Sequence, residues 1–209
     1  MKFERWREPH SGALFVVTGA SGTGKTTLVK AALDIVPGLG WSTSVTTRPP
    51  RAGEVDGVDY HFVDRTRFEA MRHAGALLEW AEVYGNYYGT PRAPVDDALA
   101  AGRSVLLEID AQGAAQVVEA FPGAVTIFVL PPDLATLEAR LRGRKTDDEA
   151  VIQRRLRDAM LQIAACGSFD YLVINDDLPS AHDQFQAVLV AELLKTERRP
   201  GLVAAMTRS

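Results

Sequence analysis

One stretch near the start of the chain has the residue types and spacing of a phosphate-binding loop. Residues 19–26 read GASGTGKT, which fits the P-loop pattern G-x-x-x-x-G-K-[ST]. Its glycines let the backbone curl so that successive N–H groups point at anionic oxygens. Lys25 would reach the β- and γ-phosphates of a nucleotide, and the hydroxyl of Thr26 would bind Mg²⁺. These residues predict the binding of a nucleoside triphosphate.

The elements on either side of this loop must hold it in place. Apolar residues 13–18 predict a buried strand, and residues 26–33 predict a helix. The N-terminus of that helix would add unsatisfied N–H groups and a positive dipole end. The residues that we assign to the triphosphate site are Gly19, Ala20, Ser21, Gly22, Thr23, Gly24, Lys25, Thr26 and Thr27.

Beyond the loop, short apolar segments alternate with helical ones. Strands are predicted at 41–45, 104–109, 124–130 and 171–174, and helices at 94–101, 111–120, 133–141, 148–165 and 180–195. Nearly continuous apolar runs are typical of parallel strands that are covered on both faces. The pattern predicts an α/β fold with a doubly wound, parallel, five-stranded sheet. Its ligand should lie at the carboxyl ends of the strands.

Residues 46–92 interrupt this alternation. They are rich in Arg, Gly, Tyr and Pro, with short strands predicted at 60–63 and 77–80 and a helix between them that Asp64 would cap. We predict that they form an inserted, small, mixed α/β lobe. The predicted division is a core of residues 12–45 and 93–197, the small lobe 46–92, and terminal extensions 1–11 and 198–209. The tail from Arg198 onward is predicted to be partly disordered.

The composition limits the class of protein. Of the 209 residues, 46% are hydrophobic and 24% charged, which is typical of a globular protein. No apolar run approaches the ~18 residues of a membrane span, and the charged N-terminus lacks the apolar centre of a signal peptide. The lone Cys166 excludes an intrachain disulfide. We expect a cytoplasmic protein with neither a membrane nor nucleic acid as partner, since its net charge is −4. The oligomeric state stays open.

The small lobe carries groups that suit a second, phosphorylated substrate. Arg48 and Arg51 each offer a planar fork for phosphate oxygens, and tyrosine hydroxyls in the same lobe could add donors. A carboxylate such as Glu79 could accept from two adjacent N–H groups, and Ser or Thr hydroxyls could serve a carbonyl. This set complements the Watson–Crick edge of guanine. Adenine would leave a buried Glu79 unsatisfied.

Taken together, these segments resemble the guanylate kinases, which phosphorylate GMP with ATP. The resemblance covers about residues 12–194 and is most specific in the loop and in SVTTRPPRAGE (44–54), Glu79-Trp80, GNYYGT (85–90) and VINDD (173–177). It implies that the GMP phosphate is held by Arg48, Arg51, Tyr60 and Tyr88, and that the guanine is read by Ser44, Glu79 and Thr90. The family usually has a serine at the position of Thr90, so a hydroxyl is kept.

The predicted strand 104–109 leads into an acidic segment, Glu108-Ile109-Asp110. A carboxylate there typically holds Mg²⁺ directly or through water. The family commonly has Asp-Ile-Asp, so Glu108 departs from its pattern. We therefore give Asp110 the stronger claim on Mg²⁺ and assign both acids to the guanosine region. Asp110 could instead cap the helix that starts at residue 111.

A run of arginines after the predicted strand 124–130 resembles the family's lid, a helical segment of about residues 140–157. Arg140, Arg144 and Arg155 match the lid arginines, whereas Arg142, Arg154 and Arg157 are expected on the surface. Transfer of a phosphoryl group needs positive charge around its equatorial oxygens. With Lys25 and Arg48, the three lid arginines form the predicted catalytic set. Asn175 resembles the family's asparagine near the adenine site.

The resulting hypothesis is a Mg²⁺-dependent ATP:GMP phosphotransferase that works by direct in-line transfer. The small lobe would close over GMP, or dGMP, and the lid over ATP, which excludes water. Two alternatives stay open. Guanylate-kinase-like domains also bind phosphopeptides in scaffold proteins, and a related P-loop kinase could act on a phosphorylated sugar.

Overall fold

Two β-sheets organise the chain. The computed structural model describes residues 11–36, 38–143 and 148–207. The strands are β1 (Leu14–Thr18), β2 (Leu39–Trp41), β3 (Val45–Thr46), β4 (His61–Phe62), β5 (Leu77–Val83), β6 (Asn86–Pro91), β7 (Ser104–Glu108), β8 (Val125–Leu130) and β9 (Tyr171–Ile174). The helices are α1 (Lys25–Ile35), α2 (Arg65–His73), α3 (Arg92–Ala100), α4 (Ala111–Ala120), α5 (Leu134–Gly143), α6 (Glu149–Ala164), α7 (Leu178–Leu193) and α8 (Pro200–Met206). Two 3₁₀ turns lie at Cys166–Ser168 and Thr196–Arg198.

The larger sheet has five strands in the order β2-β7-β1-β8-β9, and all its pairings are parallel. Every residue of the central strand β1 is buried. Phe15 and Val17 pack with residues of α1 and α7, whereas Leu14 and Val16 pack with residues of α3 and α4. Helices therefore cover both faces, and the predicted doubly wound five-stranded sheet is confirmed.

The smaller sheet has four strands in the order β4-β3-β6-β5. β3 and β4 run parallel, and the other two pairings are antiparallel. Helix α2 covers this sheet through Phe68, which packs with Val45 and Leu77. The side chain of Asp64 accepts from the N–H of Arg67 at 2.7 Å and caps α2. The predicted mixed lobe and the Asp64 cap are both confirmed.

The single strand predicted at 41–45 is wrong. Leu39–Trp41 pairs with β7 in the larger sheet, whereas Val45–Thr46 pairs in the smaller one. The chain crosses between the sheets over three residues, since the N–H of Ser42 still bonds to Leu106 and the carbonyl of Ser44 already accepts from His61. Trp41, Thr43 and Val45 favour extended structure across this crossing, and local sequence does not specify which sheet supplies the partner strand.

The disorder predicted for the tail is wrong for its described residues, 198–207. They contain helix α8 and follow a 3₁₀ turn. The carbonyl of Arg198 accepts from the N–H of Ser11 at 2.8 Å. The Arg198 guanidinium also donates to the carbonyl of Gly12 at 3.4 Å. These bonds hold the tail against the segment that enters β1.

Among the described helices, none has the length and apolar character needed to cross a bilayer.

The two sheets are joined by a side chain on α4. The amide of Gln116 donates to the carbonyl of Trp80 at 2.7 Å and accepts from the Trp80 N–H at 3.2 Å. Trp80 lies in β5, so this paired contact ties the small lobe to a helix of the core.

We expect Gln116→Ala to lower the free energy of unfolding by about 1–3 kcal/mol, because it leaves two backbone polar groups of Trp80 without their partner. Urea unfolding measures this change. Gln112→Ala on the exposed face of the same helix is the control, with an expected change within about 0.5 kcal/mol. Equal effects of the two substitutions would contradict the role given to Gln116.

Candidate active site

The loop after β1 can curl tightly because glycines occupy two positions at which any side chain would collide with a neighbouring group. A Cβ on Gly19 would be 2.4 Å from the carbonyl oxygen of Val129, and one on Gly24 would be 2.3 Å from Nδ2 of Asn175. Gly24 has a φ of +88° and precedes α1 without a side-chain cap. Helix α1 has no side-chain cap, and an anion in the loop could accept from N–H groups at the start of such a helix.

The ammonium group of Lys25 lies against this curl. Its Nζ donates to the carbonyls of Gly19 and Ala20, at 2.5 and 3.0 Å. The hydroxyl and N–H of Thr23 both bond to the carbonyl of Ala20. The lysine charge is thus held beside the N–H groups that would bind phosphate.

The two acids that follow β7 have different partners. The hydroxyl of Thr26 donates to Oε1 of Glu108 at 2.8 Å. Oδ1 of Asp110 instead accepts from the N–H of Gly113 at 2.8 Å, as the N-cap of α4. Glu108, which departs from the family's pattern, is therefore the acid that contacts the P-loop.

Glu79 is a buried carboxylate at the junction of the two sheets. Its side chain on β5 accepts from the hydroxyl of Thr90, the cross-strand neighbour on β6, at 2.6 Å. Only 4% of Glu79 is exposed. Burial, and to a smaller extent the nearby charge of Asp110, raises the pKa of Glu79 to about 7. Near neutral pH this group can accept as a carboxylate or carry a proton.

Gly113 allows α4 to approach this carboxylate, and the sequence analysis missed it. A Cβ on Gly113 would lie 2.3 Å from Oε2 of Glu79. In an ordinary helix an alanine would be preferred to a glycine, so a glycine in the first turn of α4 was the available signal. Its function becomes visible only when β5 of the other sheet is placed beside it.

Aromatic and cationic side chains of the small lobe form one cluster around Arg48. The guanidinium donates to Glu54 at 2.8 Å and lies 5.4 Å from the centroid of the Tyr60 ring. The rings of Tyr60 and Tyr88 meet edge to face at 6.0 Å. Burial raises the pKa of Tyr60, which keeps its hydroxyl a hydrogen-bond donor. Glu54 also accepts from the N–H of Arg51 at 2.7 Å. Glu54 therefore links the side chain of Arg48 to the backbone of Arg51, the two arginines predicted to bind phosphate.

A cavity of about 410 Å³ joins the loop to the small lobe. Fifteen of the predicted site residues line it: Gly19, Ser21, Gly22, Gly24, Lys25, Thr26, Thr27, Ser44, Arg51, Tyr60, Glu79, Tyr88, Glu108, Asp110 and Arg155. The predicted residues Ala20, Thr23, Arg48, Thr90, Arg140 and Asn175 do not line it. Of these six, Ala20, Arg48 and Thr90 contact residues that do, namely Lys25, Tyr60 and Glu79. The cavity is also lined by Tyr84, Asp158 and Gln162, which are not among the predicted site residues.

Asn175, the predicted adenine-site residue, contacts the P-loop, and the lid residue Arg140 contacts Asn175. Nδ2 of the buried Asn175 donates to the carbonyl of Thr23 at 2.7 Å. Nη2 of Arg140 donates to the carbonyl of Asn175 at 3.0 Å. Nη1 of Arg140 is buried and has no hydrogen-bond partner in the part of the chain that the structure describes. Arg144 lies outside the described residues.

Comparison of the sequence with known proteins identifies the family to which the chain belongs. A sequence model described as guanylate kinase matches residues 11–192. The chain belongs to the guanylate kinase family. The guanylate kinase of Carboxydothermus hydrogenoformans is 51% identical over 189 residues, which are 90% of this chain and 93% of that protein. That of Aromatoleum aromaticum is 52% identical over 184 residues, 88% of this chain and 90% of that protein.

A solved structure of a guanylate kinase agrees with this assignment. The crystal structure of guanylate kinase from Anaplasma phagocytophilum superposes with a TM-score of 0.78 at 34% identity, and the match covers 95% of each chain. The predicted fold class, family and enzyme class are thereby confirmed.

The buried carboxylate should make stability depend on pH. Because the pKa of Glu79 is raised from 4.5 to about 7, the folded protein holds a proton between these values that the unfolded chain has lost. The contribution of Glu79 to the free energy of unfolding therefore falls as pH rises from about 4.5 to about 7.

We expect Glu79→Gln to match the wild type near pH 4.5 and to exceed its free energy of unfolding at pH 8, by up to roughly 3 kcal/mol. The glutamine carbonyl can still accept from Thr90, so the packing is preserved. Denaturant unfolding at several pH values measures the difference, with the exposed Glu82→Gln on the same strand as control. A pH-independent difference would contradict the burial of a titrating carboxyl at this position.

Proposed function

We propose that this chain transfers the γ-phosphoryl group of ATP to GMP, giving ADP and GDP, and that dGMP is a further acceptor. One observation carries this proposal: a single cavity is lined both by the P-loop and by the buried Glu79. A triphosphate on the loop and a purine against Glu79 would then lie in the same enclosed space. We also propose that the protein acts in the cytoplasm.

The guanine would bind through its N1–H and N2–H₂ groups to Glu79. The hydroxyl of Thr90 already donates to this carboxylate, so we assign Thr90 the role of orienting Glu79. The hydroxyl oxygen of Thr90 could still accept a further hydrogen bond. Ser44 lines the same cavity and can donate to the O6 atom. Adenine would place an acceptor, N1, against the carboxylate, and this mismatch gives the selection for guanine.

The phosphate of GMP would bind to Arg51, Tyr60 and Tyr88, which line the cavity. Arg48 lies beside the Tyr60 ring and is held by Glu54. A bidentate contact from an arginine fork fixes both the position and the direction of the phosphate. The acceptor oxygen would thereby be aimed at the P-loop, which is the arrangement that in-line transfer needs.

The oxygen groups beside the loop fit Mg²⁺. Thr26 and Glu108 bring a hydroxyl and a carboxylate together, and Mg²⁺ prefers oxygen ligands while keeping several waters. No cluster of three or more acidic, His or Cys residues suited to a metal occurs in the described ranges, which agrees with a metal bound mainly by the nucleotide. When bound, Mg²⁺ neutralises charge on the β- and γ-phosphates. Thr26 and Glu108 would hold it, and Asp110 would face the guanosine instead.

The protein's own contribution to transfer is positive charge and exclusion of water. Lys25 would hold the β- and γ-phosphates. Arg155, which also lines the cavity, would contact the phosphoryl group during its transfer. Arg140 would add charge behind the loop, and the family resemblance assigns the same function to Arg144. No residue needs to form a covalent intermediate, because positioning and charge supply most of the rate in such reactions.

A coupled assay of ADP production tests this function. With ATP and Mg²⁺ we expect turnover with GMP and dGMP and none with AMP, CMP or UMP, because only guanine satisfies Glu79. Lys25→Ala controls for contaminating kinases. Turnover with a sugar phosphate instead, or silence with every acceptor in folded protein that binds ATP, would contradict the proposal.

The Thr26–Glu108 pair predicts a specific change in the requirement for metal. We expect Glu108→Gln to raise the Mg²⁺ concentration for half-maximal rate about 10–100-fold, because it removes the charge of a group that orients the metal's ligands. Glu119→Gln on the exposed surface of α4 is the matched control. An unchanged Mg²⁺ titration for Glu108→Gln would place the metal elsewhere.

A further inference from the structure

The tip of the hairpin between β5 and β6 has a conformation that its sequence does not favour. Tyr84 has a φ of +52° and Gly85 a φ of +80°, so both central residues of this two-residue turn are left-handed. Tyr84 is the only residue other than glycine with positive φ in the part of the chain that is described. Asn, Asp or Gly normally occupies such a position, and a bulky side chain there costs energy. The surrounding contacts must compensate this cost.

Those contacts are made with α6, the second helix of the lid. The hydroxyl of Tyr84 donates to Oδ2 of Asp158 at 3.0 Å. The guanidinium carbons of Arg154 and Arg155 lie 4.5 and 5.9 Å from the centroid of the Tyr84 ring. The hairpin tip thus meets one helix through a hydrogen bond and through charges over its ring.

The contact lies at the edge of the active-site cavity. Tyr84, Asp158 and Arg155 all line it. Asp158 and Arg155 are separated by three positions on α6 and so share one face of that helix. A bond that fixes Asp158 therefore also fixes the face from which Arg155 reaches the cavity.

We propose that Tyr84 and Asp158 are positioning residues, which hold the small lobe against α6 and thereby place Arg155 over the transferring phosphoryl group. This role rests on the proposed GMP kinase function. The small lobe carries the residues assigned to GMP, and α6 carries an arginine assigned to ATP. A bond between these two bodies forms only when they are together, so it links the binding of one substrate to that of the other.

The sequence analysis could not assign this role. Tyr84 is not among the predicted site residues, and Arg154 was expected on the surface. Asp158 lies on α6, and 74 positions separate it from Tyr84. The contact depends on how the hairpin is placed relative to the helix.

Tyr84→Phe tests the proposal because it removes the hydroxyl and keeps the ring under Arg154. The full chain is titrated with GMP in a calorimeter, with and without a non-hydrolysable ATP analogue and Mg²⁺. We expect the analogue to lower the Kd of the wild type for GMP. In Tyr84→Phe the ratio of the two Kd values, without and with the analogue, should be about five-fold smaller. GMP binding without the analogue should not change, and kcat should fall by a similar factor. Melting temperatures check that folding is intact.

The matched control is Tyr87→Phe. Tyr87 belongs to the same hairpin, and its hydroxyl accepts a hydrogen bond from Arg65, the first residue of α2. It does not line the cavity. This variant should keep both the wild-type kcat and the wild-type effect of the analogue.

Asp158→Ala and the double variant complete the test. If both residues act through one bond, each single variant and the double variant should show the same loss. Losses that multiply in the double variant would overturn the proposal, as would wild-type values in both single variants. If the wild type phosphorylates GMP while the variants behave normally, only the positioning role is contradicted. If the wild type does not phosphorylate GMP, the proposed function itself fails.

Discussion

The structure depends first on the backbone that takes the chain from the central strand into α1. This loop turns back on itself, which it can do only because Gly19 and Gly24 have no side chain: a Cβ there would collide with Val129 or Asn175. Asn175 comes from the end of β9 and bonds to the loop carbonyl of Thr23. The core sheet therefore both forms the loop and braces it from a second strand. A preformed anion site of this kind needs little rearrangement when phosphate binds.

The second constraint is the burial of one carboxylate between the smaller sheet and α4. Burying Glu79 in its charged form costs free energy, and this cost is the reason that its pKa is raised. The chain supports it with a hydroxyl from β6, with a glycine on α4 that gives it room, and with the Gln116 amide that holds β5 in place. In the proposed reaction, a guanine edge would supply N–H groups to this carboxylate. The same charge that lowers stability thus provides selectivity in the proposed reaction.

Much of this could be predicted from sequence because it is recorded locally. The P-loop spacing, the apolar strands and the Asp64 cap depend on residues within a few positions of one another, and each was predicted correctly. The pairing of strands was less accessible. Residues 41–45 have the pattern of one strand, yet they divide between two sheets because hydrogen-bond partners distant in sequence decide where each half belongs. The tail from Arg198 was likewise misjudged, since its anchor is Ser11 at the other end of the chain.

The sequence by itself determined the chemistry of this protein: a loop that binds phosphate, arginines and tyrosines suited to a second phosphate, and an acid suited to guanine. Only the tertiary structure decided which of the two acids after β7 meets Thr26, why position 113 is a glycine, and that Tyr84 reaches Asp158. The physical reason is distance. Motifs report what a side chain can do, whereas burial, pKa and contact depend on residues that folding brings together from distant positions.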